Sequence, residues 1–191
     1  MATPRDIRRL AFQALFQLDA RKGSSTDAMA VRESLDQSEG FTPRELDDAF
    51  RLAIDAYAAR KAADAEMVKL APTWPAHRQA AVDRAILRLA HFEITSGRAP
   101  AKAAVNEAVE LAKAYSTEKS PSFINGLLDK VLKRVLAEQS AAAAAAEGNT
   151  GNAAEAVGEE QGMQTGEGEA PTAFETTEPE PPQPESPEGE P

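Results

Sequence analysis

Apolar side chains recur at intervals of three and four residues along most of the first 139 positions of this chain. On an α-helix such positions form one continuous stripe, whereas a half-buried strand needs strict alternation. The sequence has almost no alternating segments, so it predicts an all-α domain. The clearest helical run has apolar residues at Ile124, Leu127, Leu128, Val131, Leu132 and Val135.

Three hydroxyl residues followed by proline indicate where helices begin. They are Thr3 with Pro4, Thr42 with Pro43, and Ser120 with Pro121. In each pair the hydroxyl can accept a hydrogen bond from a free helix-terminal N–H, and proline loses nothing at the first helical position. Glu45 completes a capping box with Thr42. Near the middle of the chain, Gly97 is a suitable helix end and Pro100 a suitable start for the next helix.

These signals predict seven helices in two groups. The expected helices cover about residues 4–21, 26–37, 43–61, 62–70, 78–95, 101–115 and 121–138. The segment APTWPAHR separates the fourth helix from the fifth because its two prolines interrupt the helical pattern. We therefore expect two small three-helix subdomains, at about 1–71 and 76–139, within one domain of residues 1–139.

Residues 140–191 differ sharply in composition from the rest. All 21 lysines and arginines precede residue 140 together with 19 acidic residues, which gives the first part a charge of about +2 and leaves 12 glutamates for the tail. Rich in Ala, Gly, Glu and Pro, the tail buries too little apolar surface to order itself and is predicted to be disordered. The segment SAAAAAAEG is expected to extend the last helix by a turn or two.

Two roles for this acidic tail are compatible with its sequence. The favoured one is that of a solubilising appendage. In the alternative, the tail folds back on a basic face of the domain and competes with non-specific RNA.

Several classes of site and location are disfavoured by composition. The chain has no cysteine, and neither His77 nor His91 has partners at metal-ligand spacing, so we expect no metal and no cofactor. Glu107 and Glu110 are three apart on a helix but have no matching ligands elsewhere, which makes surface charges the better interpretation. No phosphate-binding loop or nucleophile arrangement indicates an enzyme. Without a long apolar run or signal-peptide pattern, a cytoplasmic protein that does not enter a membrane is expected.

The first predicted helix has two different sides. Ile7, Ala11 and Leu18 lie on a core stripe, whereas basic and aromatic residues share an opposite arc of about 100°. Its members are Arg5, Arg8, Arg9, Phe12 and Phe16. Either the phenylalanines pack under a neighbouring helix with the arginines as a solvated rim, or the arc binds nucleic acid or protein. We expect Phe12 to be mostly buried.

A second basic row lies on the predicted fifth helix. Arg84, Arg88 and His91 share one face because they are four and three residues apart. Taken alone, this row favours a solvated helix face.

Four segments resemble the NusB family of bacterial transcription antitermination factors. Together they extend over about residues 4–137, and the last two are quite specific in combination. They are RRLAFQALFQLDA, DRAILRLAHFEI, NEAVELAKAYSTEKS and FINGLLDKVL.

The resemblance implies an all-helical fold of two subdomains that binds the boxA element of nascent ribosomal RNA transcripts. It further implies a heterodimer with the ribosomal small-subunit protein NusE, which joins RNA polymerase and other Nus factors, and a possible homodimer when free. Phe16 and Asp83 match the positions that face the ribosomal protein. RNA contacts are implied for Arg5, Arg8, Arg9, Gln13, Arg84, Arg88, Tyr115, Lys119 and Phe123.

One position departs from the family pattern, and one alternative function remains open. Lys119 stands where relatives can carry an acidic residue, so we expect somewhat stronger and less selective RNA binding. A slightly basic domain suits an RNA binder that a partner assists. The alternative is a helical adaptor whose arginine and phenylalanine arc binds an acidic protein.

Overall fold

A computed structural model describes the backbone of residues 2–150 and the side chains of residues 2–145. This part of the chain contains seven α-helices, a short 3₁₀ turn at Ala76–Arg78 and no strand, which confirms the all-α prediction. The helices are α1 (Pro4–Ala20), α2 (Ser25–Asp36), α3 (Pro43–Ala58), α4 (Arg60–Leu70), α5 (Ala81–Ser96), α6 (Ala101–Tyr115) and α7 (Ser120–Thr150).

Two of the three predicted helix starts have the expected caps. The Thr3 hydroxyl accepts a hydrogen bond from the Asp6 amide and the Thr42 hydroxyl one from the Glu45 amide, and both caps are complete capping boxes. The expectation for Ser120 was wrong, because α7 begins at this residue. Its hydroxyl instead donates to the buried carboxylate of Asp83 at 2.8 Å. The Ser120 hydroxyl thus bonds to Asp83, a residue far away in sequence, and not to the helix that it was expected to cap.

The last helix extends into the segment SAAAAAAEG, as expected, and runs slightly further than the predicted one or two turns. α7 continues to Thr150, about three turns beyond residue 138, because alanine has the highest helix propensity. Residues 140–150 of the predicted tail are therefore helical. The predicted disorder of residues 151–191 lies outside the described residues. No helix within residues 2–150, α7 included, is both long and apolar enough to cross a membrane.

The helices pack in two groups, and α5 connects them. The first group contains α1, α2 and α3, the second contains α5, α6 and α7, and α5 also packs against α1, α3 and α4. One hydrophobic core extends through both groups, from Leu15 and Leu18 on α1 to Ile124 and Leu128 on α7. Phe12 is buried in this core, as predicted. The other side of α1 remains available at its N-terminal end.

Two glycines shape the chain where helices end. Gly97 has a φ of +67° and ends α5 in the left-handed conformation, as the sequence predicted. Gly23 has a φ of +63° in the turn after α1, and a Cβ atom there would overlap the ring of Tyr57 on α3. This close approach brings the ends of α1 and α3 together.

Candidate nucleic-acid interface

A groove between the N-terminal half of α1 and the C-terminal half of α6 brings together the exposed arginines and an exposed tyrosine. Its volume is about 290 Å³, and Arg5, Arg9 and Tyr115 line it together with Glu107 and Glu110. The α1 residues reach it because they lie on the face away from the core stripe. Two regions that are about 100 residues apart in sequence thus form one basic and aromatic surface.

The arginines of this groove are held loosely. Arg5 Nε donates to Glu107 at 3.0 Å, Arg5 Nη2 lies 3.5 Å from Glu110, and Arg9 pairs with Asp6 at 3.2 Å. The two arginine side chains are 58% and 47% exposed. Exposed ion pairs of this kind contribute about 0–1 kcal/mol each. Both guanidinium groups are therefore available to exchange a carboxylate for a phosphate at low cost.

A second cavity adjoins the groove and is more apolar. It measures about 320 Å³ and is lined by Phe12, Gln13, Phe16, Gln17, Val82 and Tyr115. Tyr115 belongs to both cavities, and its ring lies 5.2 Å from that of Phe12 between centroids. This tilted aromatic contact fixes Tyr115 from one side while leaving it exposed on the other. Gln13 and Phe16 therefore flank the basic groove directly.

A third cavity lies at the start of α7. It measures about 230 Å³ and is lined by Trp74, Asp83, Thr117, Lys119, Ser120 and Phe123. The hydroxyls of Ser116 and Ser120 donate to the Asp83 carboxylate at 2.5 and 2.8 Å. These bonds satisfy a buried acid at the floor, while Lys119 remains exposed.

Arg84 and Arg88 are in a different environment, inside an ion-pair network. Arg84 donates to Asp19 at 2.6 Å, and Arg88 donates to both Asp19 and Asp64 at 2.6 Å. The side chain of Arg88 is only 9% exposed. This network ties the end of α1 and the middle of α4 to α5.

The network perturbs the acid–base properties of its members. Burial disfavours the charge of Asp19, but hydrogen bonds from Arg84 and Arg88 outweigh it and hold the pKa of the carboxyl below its ordinary value. Burial likewise acts against the charge of Arg88, and the bonds to Asp64 and Asp19 raise its pKa above the usual value. Each group therefore keeps its charge over a wider range of pH than it would alone.

Arg8 is also paired inside the protein. Its Nε and Nη2 atoms donate to Glu93 at 2.8 Å, and the Glu93 side chain is only 3% exposed. Burial lowers the pKa of Arg8, but the hydrogen bond and charge of Glu93 raise it to a net value above normal. Arg8 thus joins α1 to α5 rather than extending the exposed row of Arg5 and Arg9.

The structure therefore divides the predicted site residues into two sets. The solvated face expected for Arg84, Arg88 and His91 was wrong, because Arg88 and His91 are buried and His91 pairs with Glu66 at 2.8 Å. Arg8, Arg84 and Arg88 each already donate hydrogen bonds to at least one carboxylate. The residues at the three cavities are Arg5, Arg9, Gln13, Phe16, Asp83, Tyr115, Lys119 and Phe123.

Sequence reasoning missed the carboxylates that neutralise the inner arginines, and it missed Trp74. Asp19 and Arg84 are 65 residues apart, so no local spacing indicated their pairing. Glu93 did carry a signal, since it interrupts the apolar pattern of α5 at a buried position. Trp74, in the break between α4 and α5, is an exposed aromatic residue beside Lys119 and Phe123.

The fold and the cavities define an all-helical protein with a basic and aromatic face, and comparison with known proteins places it in a family. The NusB family model matches residues 5–133. The transcription antitermination protein NusB of Herpetosiphon aurantiacus is 37% identical over 137 residues, which cover 70% of this chain and 92% of that protein. NusB of Symbiobacterium thermophilum is 40% identical, covering 68% and 88%. The chain belongs to the NusB family.

Solved structures agree with this assignment. NusB of T. maritima has 32% identity and a TM-score of 0.61, with 70% of this chain and 93% of that chain covered. A second structure, of NusB and NusE in complex with double-stranded RNA, has a TM-score of 0.60 and covers 68% of this chain and 96% of the other. At 23% identity the second likeness concerns the fold alone.

Proposed function

We propose that this protein is a transcription antitermination factor that binds the boxA element of nascent ribosomal RNA together with NusE, in the cytoplasm. Membership of the NusB family supports the general role. The observation that carries the proposal for this chain is the groove of Arg5, Arg9 and Tyr115, where cationic forks and an exposed ring stand side by side. That combination suits unpaired RNA, because arginine binds phosphate and aromatic rings stack on bases.

Each residue of the groove has a distinct proposed role. Arg5 and Arg9 bind phosphates, Tyr115 stacks against a base, and the amide of Gln13 offers a donor and an acceptor to a base edge. Lys119 and Phe123 extend the RNA path toward the start of α7. We do not propose Arg8, Arg84 and Arg88 as direct phosphate contacts, since a phosphate would have to displace Glu93, Asp19 or Asp64, which already accept their hydrogen bonds inside the protein.

The apolar cavity beside the groove is the proposed position of NusE. Phe16 and Val82 line it, whereas Asp83, the other residue expected to face the partner, lies at the floor of the third cavity. Aromatic side chains in a concave surface are typical anchors of a protein interface. A NusB with the same fold has been solved with NusE and double-stranded RNA, so partners of both kinds are the first to test. Tyr115 lines both the NusE cavity and the RNA groove. A bound NusE would therefore lie next to the RNA and extend the surface that contacts it.

The proposed RNA affinity is moderate without the partner. Residues 1–139 carry a charge of about +2, so their electrostatic attraction for RNA depends on a local concentration of basic groups. Four to six phosphate contacts with a single strand give a slope of about −3 to −4 in log affinity against log salt. NusE is expected to raise both the affinity and the preference for boxA.

A gel-shift titration tests the proposal directly. The full-length protein is titrated into labelled boxA RNA and into RNA of scrambled sequence, with and without NusE. We expect preferential binding of boxA that strengthens when NusE is present. Binding to NusE with no shift of either RNA would contradict the RNA role and favour the adaptor function.

A further inference from the structure

Trp74 is an exposed aromatic ring on a rigid backbone. It is 42% exposed, yet its amide donates to the Ala71 carbonyl at 2.9 Å and its carbonyl accepts from the buried side chain of Gln79 at 3.0 Å. Pro75 follows and restricts the backbone further. The backbone that carries the indole is therefore fixed, so stacking of a ligand on the ring costs only the freedom of the side chain itself.

The cavity beside Trp74 has walls of different chemical character. Phe123 is a partly buried aromatic wall that packs against the core, and Lys119 is an exposed cation at the rim. Asp83 and Ser120 form a polar floor whose carboxylate accepts two hydroxyl bonds. With a volume of about 230 Å³, the cavity has room for one flat group rather than for a protein segment.

This arrangement fits one nucleotide of single-stranded RNA better than an anion alone. The negative charge of Asp83 opposes a phosphate at the floor, whereas a neutral base can pack against the aromatic side chains that line the cavity. The phosphate of the same nucleotide is then attracted to Lys119 at the rim. Arg78 lies 5.1 Å from the centroid of the Trp74 ring and adds positive charge to the same side of the molecule.

The cavity also continues the proposed RNA path. Tyr115 ends α6 and Lys119 precedes α7, so the two stand at opposite ends of a connection of four residues that spans at most about 14 Å. An RNA strand that binds at Arg5, Arg9 and Tyr115 is therefore close enough to reach Lys119. We propose that Trp74 and Phe123 form a binding site for one unpaired RNA base, with Lys119 holding its phosphate. This site rests on the RNA-binding function proposed above.

The only tryptophan of the chain is itself a probe of this site. Intrinsic fluorescence of the full-length protein is recorded during titration with a single-stranded boxA oligonucleotide, with NusE variants free of tryptophan if the partner is included. A base stacked on Trp74 is expected to quench the emission in a saturable way. Sodium polyphosphate, a polyanion without bases, is expected to leave the emission at its starting level.

Variants test the same site without fluorescence. In a gel shift, Trp74→Ala is expected to weaken boxA binding about five- to tenfold, and Trp74→Phe to remain within about threefold of the original protein, because a phenyl ring still stacks. Met29→Ala is the matched control, since Met29 is an exposed apolar side chain on α2. Its affinity is expected to be unchanged. Circular dichroism establishes that each variant keeps its helices.

The possible results separate this inference from the function on which it rests. If boxA RNA shifts the protein but leaves Trp74 emission unchanged at saturation, and Trp74→Ala binds like the original protein, the base site is wrong and the RNA function stands. Equal quenching by polyphosphate would also overturn base stacking. If no RNA binds even with NusE, the proposed function itself is wrong.

Discussion

The arginines of this protein occupy two regions that use the same side chain for opposite purposes. Arg5 and Arg9 lie at the open end of α1, where both arginine side chains are exposed and water reaches their ion pairs. Arg84 and Arg88, on α5, face α1 and α4, where Asp19 and Asp64 accept hydrogen bonds from them. The first pair can exchange partners, whereas the second pair holds helices together.

The difference follows from desolvation. An exposed ion pair is screened by water and is worth little, so its loss or replacement changes folding only slightly. In a buried pair, removing one partner leaves a charge that water cannot reach, which is strongly destabilising. Substitutions in the inner region should therefore change stability, and those in the outer region should change binding.

The largest expected effect is that of Asp19→Ala on stability. It leaves both Arg84 and Arg88 short of a carboxylate in a mostly buried site, and we expect the free energy of unfolding to fall by about 3–5 kcal/mol. Urea denaturation measures the change. Asp55→Ala is the control, because Asp55 pairs with Arg98 at the surface and its loss should cost about 1 kcal/mol or less. Similar losses in the two variants would remove the distinction between the regions.

Acid should destabilise the protein through the same inner network. The pKa of Asp19 is lowered against burial by hydrogen bonds from Arg84 and Arg88, and that of Glu66 is lowered against burial by Arg134 and His91. As pH falls below about 4, the unfolded chain takes up these protons before the native protein does, which favours unfolding. The stabilisation is thus complete above that range and is lost as pH falls through the native pKa values.

Thermal melts between pH 6 and about pH 3 measure this loss. The melting temperature of the original protein should fall steeply on acidification, and Asp19→Asn should show a shallower fall because one titrating group is missing. A variant with a lowered melting temperature but an identical pH slope would exclude Asp19 as a source of the acid sensitivity.

The outer region is tested by replacing both exposed arginines. Arg5→Ala together with Arg9→Ala should weaken boxA binding about tenfold and reduce the salt slope by about 1.4, since each phosphate contact with a single strand adds about 0.7. Filter binding over a series of salt concentrations gives both values. Arg51→Ala, on the exposed side of α3, should leave the slope unchanged. An unchanged slope in the double variant would place the phosphate contacts elsewhere.

The smallest expected effect comes from freeing Arg5. Glu107→Gln removes the charge that holds Arg5 at 3.0 Å, so RNA no longer competes with that carboxylate. We expect RNA to bind about two- to threefold more tightly, as suits an exposed ion pair worth a few tenths of a kcal/mol. Glu33→Gln on α2 is the matched control and should bind like the original protein. Weaker binding by Glu107→Gln would mean that the pair positions Arg5 for RNA.

Particular residues show where sequence reasoning succeeded and where it failed. Phe12 was correctly expected to be buried, although the helical arc alone allowed either a packed or an exposed ring. The stripe of Ala11 and Leu18 was a safer prediction, because the apolar pattern of α1 is a local property. Ser120 and Arg88 were misjudged, because the groups that engage them come from α5, α4 and the end of α1. Trp74 was overlooked as a site residue, since its importance depends on neighbours about 45–50 residues away.

The sequence by itself determined the helices, their caps at Thr3 and Thr42, the core stripe and the family, because these depend on spacing and residue type along the chain. Only the tertiary structure decided which arginines are paired inside the protein and which are exposed. A helical pattern places Arg5, Arg8 and Arg9 on one arc, but Glu93, 85 residues beyond Arg8, takes Arg8 out of that row. Charge neutralisation depends on distance in space, and packing of α1 against α5 sets that distance.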